Sequence, residues 1–389
     1  IAISNEGKND KDKYKSAQTA MDIVLGRGGD QAVIRQNDIY KFFGGRAQEV
    51  EKRTKVKARV VAHALENLIK ESSKVMIMGH MNPDIDAMGS SIGVYRIAKS
   101  LDKNAYIITS NTPTLQSFKE SLLAEEPEYE DVLISKEVAE ENIDEDTLLV
   151  IVDTHKNTYV ESEEVVKKAK KIVVIDHHRR SADYIEDATL TFQEVYASSA
   201  AELVTELLQY TDVNVELKKI EAESLYAGIM MDTKSFTFKT GVRTFEAAAY
   251  LRRCGVDIIK VKKWFQSDLQ SFNIIADIVK SAEIVNESIA IAIYDKEKAK
   301  DVSLICAKAA DELLTINDVT ASFVLGNTGD KICISGRSIG DINVQVILEK
   351  LGGGGHITLA GAQVEGMTME EAKQELIIRI NEYFTDCLL

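Results

Sequence analysis

Three apolar runs of this chain end in carboxylate and imidazole side chains, and that recurrence constrains the fold more than any other feature. Val75-Met-Ile-Met-Gly79 is followed by His80 and then by Asn-Pro-Asp84-Ile-Asp86. Leu148 to Val152 ends at Asp153, with His155 two residues later. Lys171-Ile-Val-Val-Ile175 ends at Asp176-His177-His178. Short, continuously apolar runs suit strands of a parallel sheet covered on both faces. In an open α/β sheet, ligand sites lie outside the carboxyl ends of the strands. Four of the chain's six histidines fall at these three strand ends, and the combination predicts a metal site.

The alternation around these runs predicts a doubly wound α/β domain. Strands are expected at Val75–Gly79, Ala105–Thr109, Leu148–Val152 and Lys171–Ile175. Helices are expected at Ala87–Leu101, Ser198–Gln209, Leu217–Met231, Thr244–Arg253 and Ile258–Phe265. The chain then divides into an N-terminal extension at 1–55, a linker helix at 56–73, the main domain at 74–265, a connecting helix at 266–285 and a smaller α/β domain at 286–389. The linker helix presents Val56, Val60, Leu65, Leu68 and Ile69 on one side. His63, alone on that helix, reads as a surface or packing residue. The smaller domain shows strands at Ile289–Tyr294, Thr320–Leu325 and Lys331–Ser335, and helices near 301–314, at Val344–Leu351 and at Thr368–Phe384.

The 389 residues suffice for two or three domains, and a composition 45% hydrophobic and 28% charged is that of a globular protein. A net charge of −15 argues against long nucleic acid as a partner, since such binding relies on basic surface. It leaves room for a small nucleotide held through cations. Cys254, Cys306, Cys333 and Cys387 form no CxxC pair and read as buried thiols of a reducing compartment. No run of about 18 apolar residues is present.

Two divalent cations would each want about four to six ligands, with hard carboxylates and some imidazole. Asp84 and Asp86, two apart in one turn, can face neighbouring ions. His80 can reach the first ion, Asp153 is placed to bridge, and His177 ends the third strand. The best fourth carboxylate is Asp232, at a helix end expected to lie near a further strand. Taken singly, Asp84, Asp153 and Asp232 read equally as turn or capping residues, and His177 and His178 as core histidines. His155 reads as a supporting residue or a bystander. In the smaller domain, Gly352 to Gly355 would let backbone N–H groups approach a phosphate, with His356 and Arg337 as added donors. Read plainly, the glycine run is a helix C-terminus. Gly26, Gly28 and Gly29 read as a turn.

The motifs Gly79-His80-Met-Asn-Pro-Asp84-Ile-Asp86-Ala-Met-Gly89-Ser90, Val152-Asp153-Thr154 and Asp176-His177-His178 resemble those of the DHH phosphoesterase superfamily. Ser335-Gly-Arg337-Ser338 and Gly352-Gly-Gly-Gly355-His356 resemble the DHHA1 domain that follows it in one subfamily. Within that subfamily the likeness is greatest to cyclic-di-AMP phosphodiesterases of the GdpP (YybT) type. Gly26-Arg-Gly-Gly-Asp-Gln-Ala-Val33 and Lys41-Phe-Phe-Gly-Gly45 are similar to the end of that type's degenerate GGDEF domain. Proteins of this type also carry a membrane anchor and a PAS domain, so the resemblance implies a cytoplasmic portion of a membrane-anchored parent.

The resemblance implies a DHH domain followed by a DHHA1 domain with the active site in the cleft between them. It implies two Mn²⁺ ions, with Mg²⁺ or Co²⁺ as substitutes. His80, Asp84 and Asp153 would hold one ion; Asp86, Asp153, His177 and Asp232 would hold the other. His178 would contact substrate or leaving group, and Asp176 would support the histidines. Ser335, Arg337, Ser338, Gly353, Gly354, Gly355 and His356 would bind substrate. The implied reaction opens cyclic-di-AMP to linear 5′-pApA through a hydroxide activated by the two metals, in a chain compatible with a homodimer. The alternatives are a nanoRNase-type oligoribonuclease acting on pApA or short RNA, and a sensor that binds a cyclic dinucleotide without cleaving it.

Overall fold

The structure is a computed structural model. It describes residues 1–26, 31–36, 39–44, 55–266, 268–295, 302–329 and 331–387. The chain forms two compact units, Ile1–Phe265 and Gln266–Leu389.

The first unit opens with a three-stranded sheet of β1 (Ala2–Ser4), β2 (Gln31–Gln36) and β3 (Ile39–Gly44), in which β2 and β3 form an antiparallel pair. Ala20 and Val24 of helix Asp10–Gly26 pack on Val33. The glycines expected in a turn at 28 and 29 lie outside the described residues. Helix Lys55–Lys70 follows. Its buried face is Ala58, Val61, Ala62, Leu65 and Ile69, packed in the main core of the unit. Val56 and Val60, expected on the apolar side, are instead exposed. The small Ala58 and Ala62 carry the contact, which a reading for large apolar residues overlooks.

The main sheet comprises β4 (Lys74–Met78), β5 (Asn104–Ile108), β6 (Leu133–Ile134), β7 (Thr147–Val152), β8 (Lys171–Asp176) and β9 (Leu190–Gln193). Their order is β6-β5-β4-β7-β8-β9, and every pairing is parallel. Side chains alternate across the pleat. Val75, Ile77, Leu148, Val150, Val173 and Ile175 enter one core. Met76, Met78, Leu149, Ile151, Ile172 and Val174 enter the other. Both faces are covered, which explains why these strands read as unbroken apolar runs. Connections leave β4 toward β5 on one side, while β7 begins the other half. The chain therefore reverses between β4 and β7, and a ligand crevice is expected outside their carboxyl ends. His80 and Asp153 stand there.

Two helices complete that crevice, Ile85–Ser100 and Lys219–Asp232. They cross at close range through glycine. A Cβ on Gly89 would lie 2.5 Å from the Ser224 carbonyl oxygen, and one on Gly228 would lie 2.7 Å from Asp86 Oδ1. A buried polar lock holds the same crossing. Glu221, fully buried, receives Tyr129 Oη–H at 2.6 Å, the Lys218 N–H at 2.8 Å and a bidentate Arg96 guanidinium.

The second unit contains β10 (Glu283–Val285), β11 (Ile289–Tyr294), β12 (Ala321–Asn327), β13 (Ile332–Ser338), β14 (Gly354–His356) and β15 (Leu359–Val364), in the order β10-β11-β12-β13-β15-β14. Only β11 and β12 pair in parallel. Ile289 and Ile291 face one core, Ala290 and Ala292 the other. Helices Leu269–Lys280, Val302–Leu313, Val344–Glu349 and Met369–Cys387 belong to this unit. The hairpin of β14 and β15 was not legible, because its glycine-rich first strand has no apolar periodicity. Among the described residues, no helix is long and apolar enough to cross a membrane.

Replacing Glu221 by Ala leaves the partly buried Arg96 guanidinium with only the more distant Glu128, at 3.6 Å, and the buried Tyr129 hydroxyl without its acceptor. The expected cost is about 3–5 kcal/mol. It is measured as a lower urea midpoint of the transition reported by the sole tryptophan, Trp264. Glu221→Gln, which keeps an acceptor, should lose markedly less.

Candidate metal centre

Each candidate ligand is placed by the end of a regular element. Asp84 is the N-cap of helix Ile85–Ser100, its Oδ1 accepting the N–H groups of Asp86 at 2.9 Å and Ala87 at 3.1 Å. The capping reading of this residue is met. Asp86, in the first turn, is fully buried. Its two oxygens accept the N–H groups of Ala200 and Ala201, each at 2.8 Å, at the start of helix Ala200–Leu208. The positive end of that helix favours the anion. Each oxygen keeps a further lone pair.

Asp153 follows β7 with φ of 58°, in the left-handed region. Aspartate tolerates that region better than most residues, at a cost of roughly 1–3 kcal/mol. The turn directs its carboxylate between His80 and His177. His80 Nε2 lies 3.5 Å from Asp153 Oδ2 and 3.8 Å from Asp84 Oδ1. Its Nδ1 donates to the Met81 carbonyl at 2.9 Å, so Nε2 is the nitrogen facing the carboxylates. His177 Nε2 lies 3.1 Å from Asp232 Oδ2 and 3.3 Å from Asp153 Oδ1. Asp232 is the last residue of helix Lys219–Asp232. The strand expected beyond it is not there. The chain instead makes a tight turn with Lys234, Ser235 and Phe236 at positive φ.

Three overlapping groups result: His80, Asp84 and Asp153; Asp86, His177 and Asp232; and Asp153, His177 and His178. Within each, one ligand atom per residue lies within 4.8 Å of the others. Asp153 belongs to two of them. His63, Glu66 and Asp212 form a further group, but there Glu66 is engaged by Lys70 and the Asp212 N–H.

The donor set fits divalent cations on its own terms. Asp153 Oδ1 and both ring nitrogens of His177 are buried yet make no hydrogen bond. Buried polar atoms left so are rare, and a missing ion is one of the few explanations. The electrostatics agree. Burial pushes the Asp86 carboxyl well up, and the neighbouring Asp153 and Asp232 add to it. Burial opposes charge on His80, but Asp153 and Asp84 outweigh it and hold its pKa up to about 12. His177 is likewise raised against burial, by Asp153 and Asp232. Crowded carboxylates without compensating charge produce these raised values, and divalent charge would relieve them.

Asp176 is fully buried and differs from the four clustered carboxylates. Burial alone would raise its pKa, but His178 and His155 outweigh that and hold it well below the usual range. Its Oδ1 accepts from His178 Nδ1 at 2.8 Å, and its Oδ2 from His155 Nδ1 at 2.5 Å. The ring of Tyr159 stacks on His80 with centroids 5.4 Å apart. Sequence reading missed Tyr159, Gln193 and the Ala200–Ala201 amides. Only the amides had a signal, the Ser198-Ser199 pair that opens a helix.

The second unit's candidates are placed less uniformly. Arg337 is buried, with Nε 3.1 Å from Asp311 Oδ1 and its guanidinium donating to the Gly336 carbonyl. An internal ion pair engages the guanidinium expected to meet a phosphate. Ser338 is buried, and its hydroxyl accepts the Gly340 N–H at 2.8 Å. Ser335 is partly exposed on β13. A Cβ on Gly353 or Gly355 would meet the facing backbone at 2.2 or 2.4 Å, whereas one on Gly354 would meet nothing. The His356 side chain lies outside the described part of the structure.

Two family models match the chain, the DHH family N-terminal domain over residues 74–229 and the DHHA1 domain over residues 286–386. The chain thus carries a DHH domain followed by a DHHA1 domain. It is 47% identical over 373 residues to the cyclic-di-AMP phosphodiesterase GdpP of Geobacillus thermodenitrificans, covering 95% of this chain and 56% of that protein. To the GdpP of Bacillus subtilis it is 44% identical over 374 residues, covering 95% and 57%. The chain thus spans a little over half the length of these relatives. Among solved structures, an exopolyphosphatase-related protein from Bacteroides fragilis superposes with a TM-score of 0.73 at 22% identity. That match covers 87% of this chain and 98% of the other, and it carries the fold alone.

Ligands that hold protons in the metal-free protein must release them on binding a cation. Mn²⁺ titrated calorimetrically in buffers of different ionisation heat should show net proton release. Its affinity should rise from about pH 6 to about pH 8. Heats that do not depend on the buffer would contradict this account of the cluster.

Proposed function

We propose that this chain is a Mn²⁺-dependent phosphodiesterase that opens cyclic-di-AMP to linear 5′-pApA. The observation that carries the reading is the meeting of His80, Asp84, Asp86, Asp153, His177 and Asp232 at the β4–β7 crevice, in a chain 47% identical to a protein of that activity over 95% of its length. His80, Asp84 and Asp153 would hold one ion, and Asp86, Asp153, His177 and Asp232 the other. Mixed nitrogen and oxygen donors suit Mn²⁺, with Mg²⁺ or Co²⁺ as substitutes. When bound, the ions supply positive charge against the phosphodiester and acidify a water.

The remaining chemistry belongs to the protein. Water adds across one phosphodiester: an oxygen–phosphorus bond forms, the bond to the 3′-oxygen breaks, and that oxygen takes a proton. Asp176, held as the anion, orients the His178 ring through Nδ1–H. His178 is half-buried at the mouth of the cluster, suited to the phosphate or the leaving oxygen. From the second unit, Ser335 and the unobstructed Gly354 are the candidates for nucleotide recognition. The β2–β3 hairpin is in keeping with a GGDEF-domain remnant in the first residues, as in a membrane-anchored parent.

Purified protein with Mn²⁺ should convert cyclic-di-AMP to pApA, read by chromatography of the products. His177→Ala should lower the rate by more than about 100-fold, beyond the usual loss for a residue that only supports a ligand. Cleavage of pApA or short RNA alone would identify an oligoribonuclease. Binding of the cyclic dinucleotide without turnover would identify a sensor. Either result overturns the proposal.

A further inference from the structure

His155 is 3% exposed and belongs to neither proposed ligand set. Its ring joins the two ends of the segment that carries His177 and His178. At one end, Nδ1 lies 2.5 Å from Asp176 Oδ2. At the other, the backbone N–H of Ser181 donates to Nε2 at 2.9 Å. An amide N–H can only donate, so Nε2 is the unprotonated nitrogen and Nδ1 carries the ring proton into Asp176. Nε2 also lies 3.1 Å from the Ser181 hydroxyl, whose own proton goes to the Asp183 carbonyl; the closer Ser181 N–H, which cannot accept, decides the assignment. The His155 carbonyl also accepts the Ile185 N–H at 2.9 Å. Gln193 reinforces the segment. Its Nε2 donates to the His178 carbonyl at 2.8 Å, and its Oε1 accepts Arg180 Nε–H at 2.9 Å.

We infer that His155 is a positioning residue: it staples the segment Asp176–Ser181 and, through Asp176, fixes the Nδ1–H tautomer and ring orientation of His178. Asp176 must accept at both oxygens at once. With His155 donating to Oδ2, the Asp176 carboxylate cannot rotate away from His178, and Oδ1 stays aimed at His178 Nδ1. The ordinary alternative is a core histidine that is merely satisfied. Its replacement by an apolar ring would then lower stability and leave His178 as it was. The kinetic arm of the test rests on the phosphodiesterase reading; the spectroscopic arm does not.

The test uses the full chain with labelled histidine. Nitrogen-detected spectra of the metal-free protein report each ring tautomer, and steady-state kinetics on cyclic-di-AMP with Mn²⁺ report function. His155→Phe keeps a ring and removes both hydrogen bonds. His155→Gln offers an amide donor and acceptor in their place. In the parent protein, His155 and His178 should both be Nδ1–H tautomers. In His155→Phe, His178 should become a tautomer mixture, and kcat should fall about 10–100-fold with KM within about twofold. His155→Gln should recover most of both. If the Phe variant does not fold, His155→Leu, which also removes both hydrogen bonds, is compared with His155→Gln in the same way. An unchanged His178 tautomer in the Phe or Leu variant overturns the inference, as does an equal kcat loss in the paired variants that tracks melting temperature. A parent protein that does not cleave the dinucleotide sinks the functional reading alone, and the tautomer comparison still decides the role of His155.

Discussion

Crowding of like charge where water is excluded is the constraint on which this structure turns. Asp84, Asp86, Asp153 and Asp232 converge outside the β4–β7 edge with His80 and His177 among them. Four carboxylates cannot all stay ionised there without compensating charge. In the protein alone, the raised pKa values of Asp86, His80 and His177 express that crowding. Divalent cations would relieve it, and would find His177 Nε2 and Asp153 Oδ1 without hydrogen bonds. The site is therefore built around a charge that the polypeptide itself does not carry.

Holding such a cluster needs a rigid frame. The sheet supplies two of its sides, with the central strands β4, β7 and β8 buried on both faces. Helices Ile85–Ser100 and Lys219–Asp232 supply the rest. Glycine at 89 and 228 lets their backbones approach closely enough for Asp86 and Asp232 to serve one group. The buried Glu221 fastens the same crossing through Arg96 and Tyr129. The left-handed Asp153 is the local strain in this frame.

A division of labour is visible among the acidic residues. Asp84, Asp86, Asp153 and Asp232 face one another and the imidazoles. Asp176 faces two ring N–H groups and stays anionic. One residue in the Asp176-His177-His178 run thus orients its neighbours, while His177 turns the other way into the cluster. Adjacent residues at a strand end can do this because successive side chains leave on opposite faces.

Much of this was written in the chain. Unbroken apolar runs ending in acid and imidazole determined a parallel sheet and the edge where its chemistry gathers, because a strand buried on both faces must be apolar throughout and only its ends can carry charge. Glycine and alanine in the helix after β4 marked close packing without naming what approached. Residues that act through long-range backbone contacts left at most an indirect signal: Ser198-Ser199 marks a helix start, but not that the amides of Ala200 and Ala201 meet Asp86. The staple through His155, the internal engagement of Arg337 by Asp311 and the turn after Asp232 likewise emerged only when distant segments met. Periodicity and motif are properties of neighbours along the chain and are fixed by sequence. Which lone pair meets which proton depends on the folded approach of segments far apart in it, and only the tertiary structure decided that.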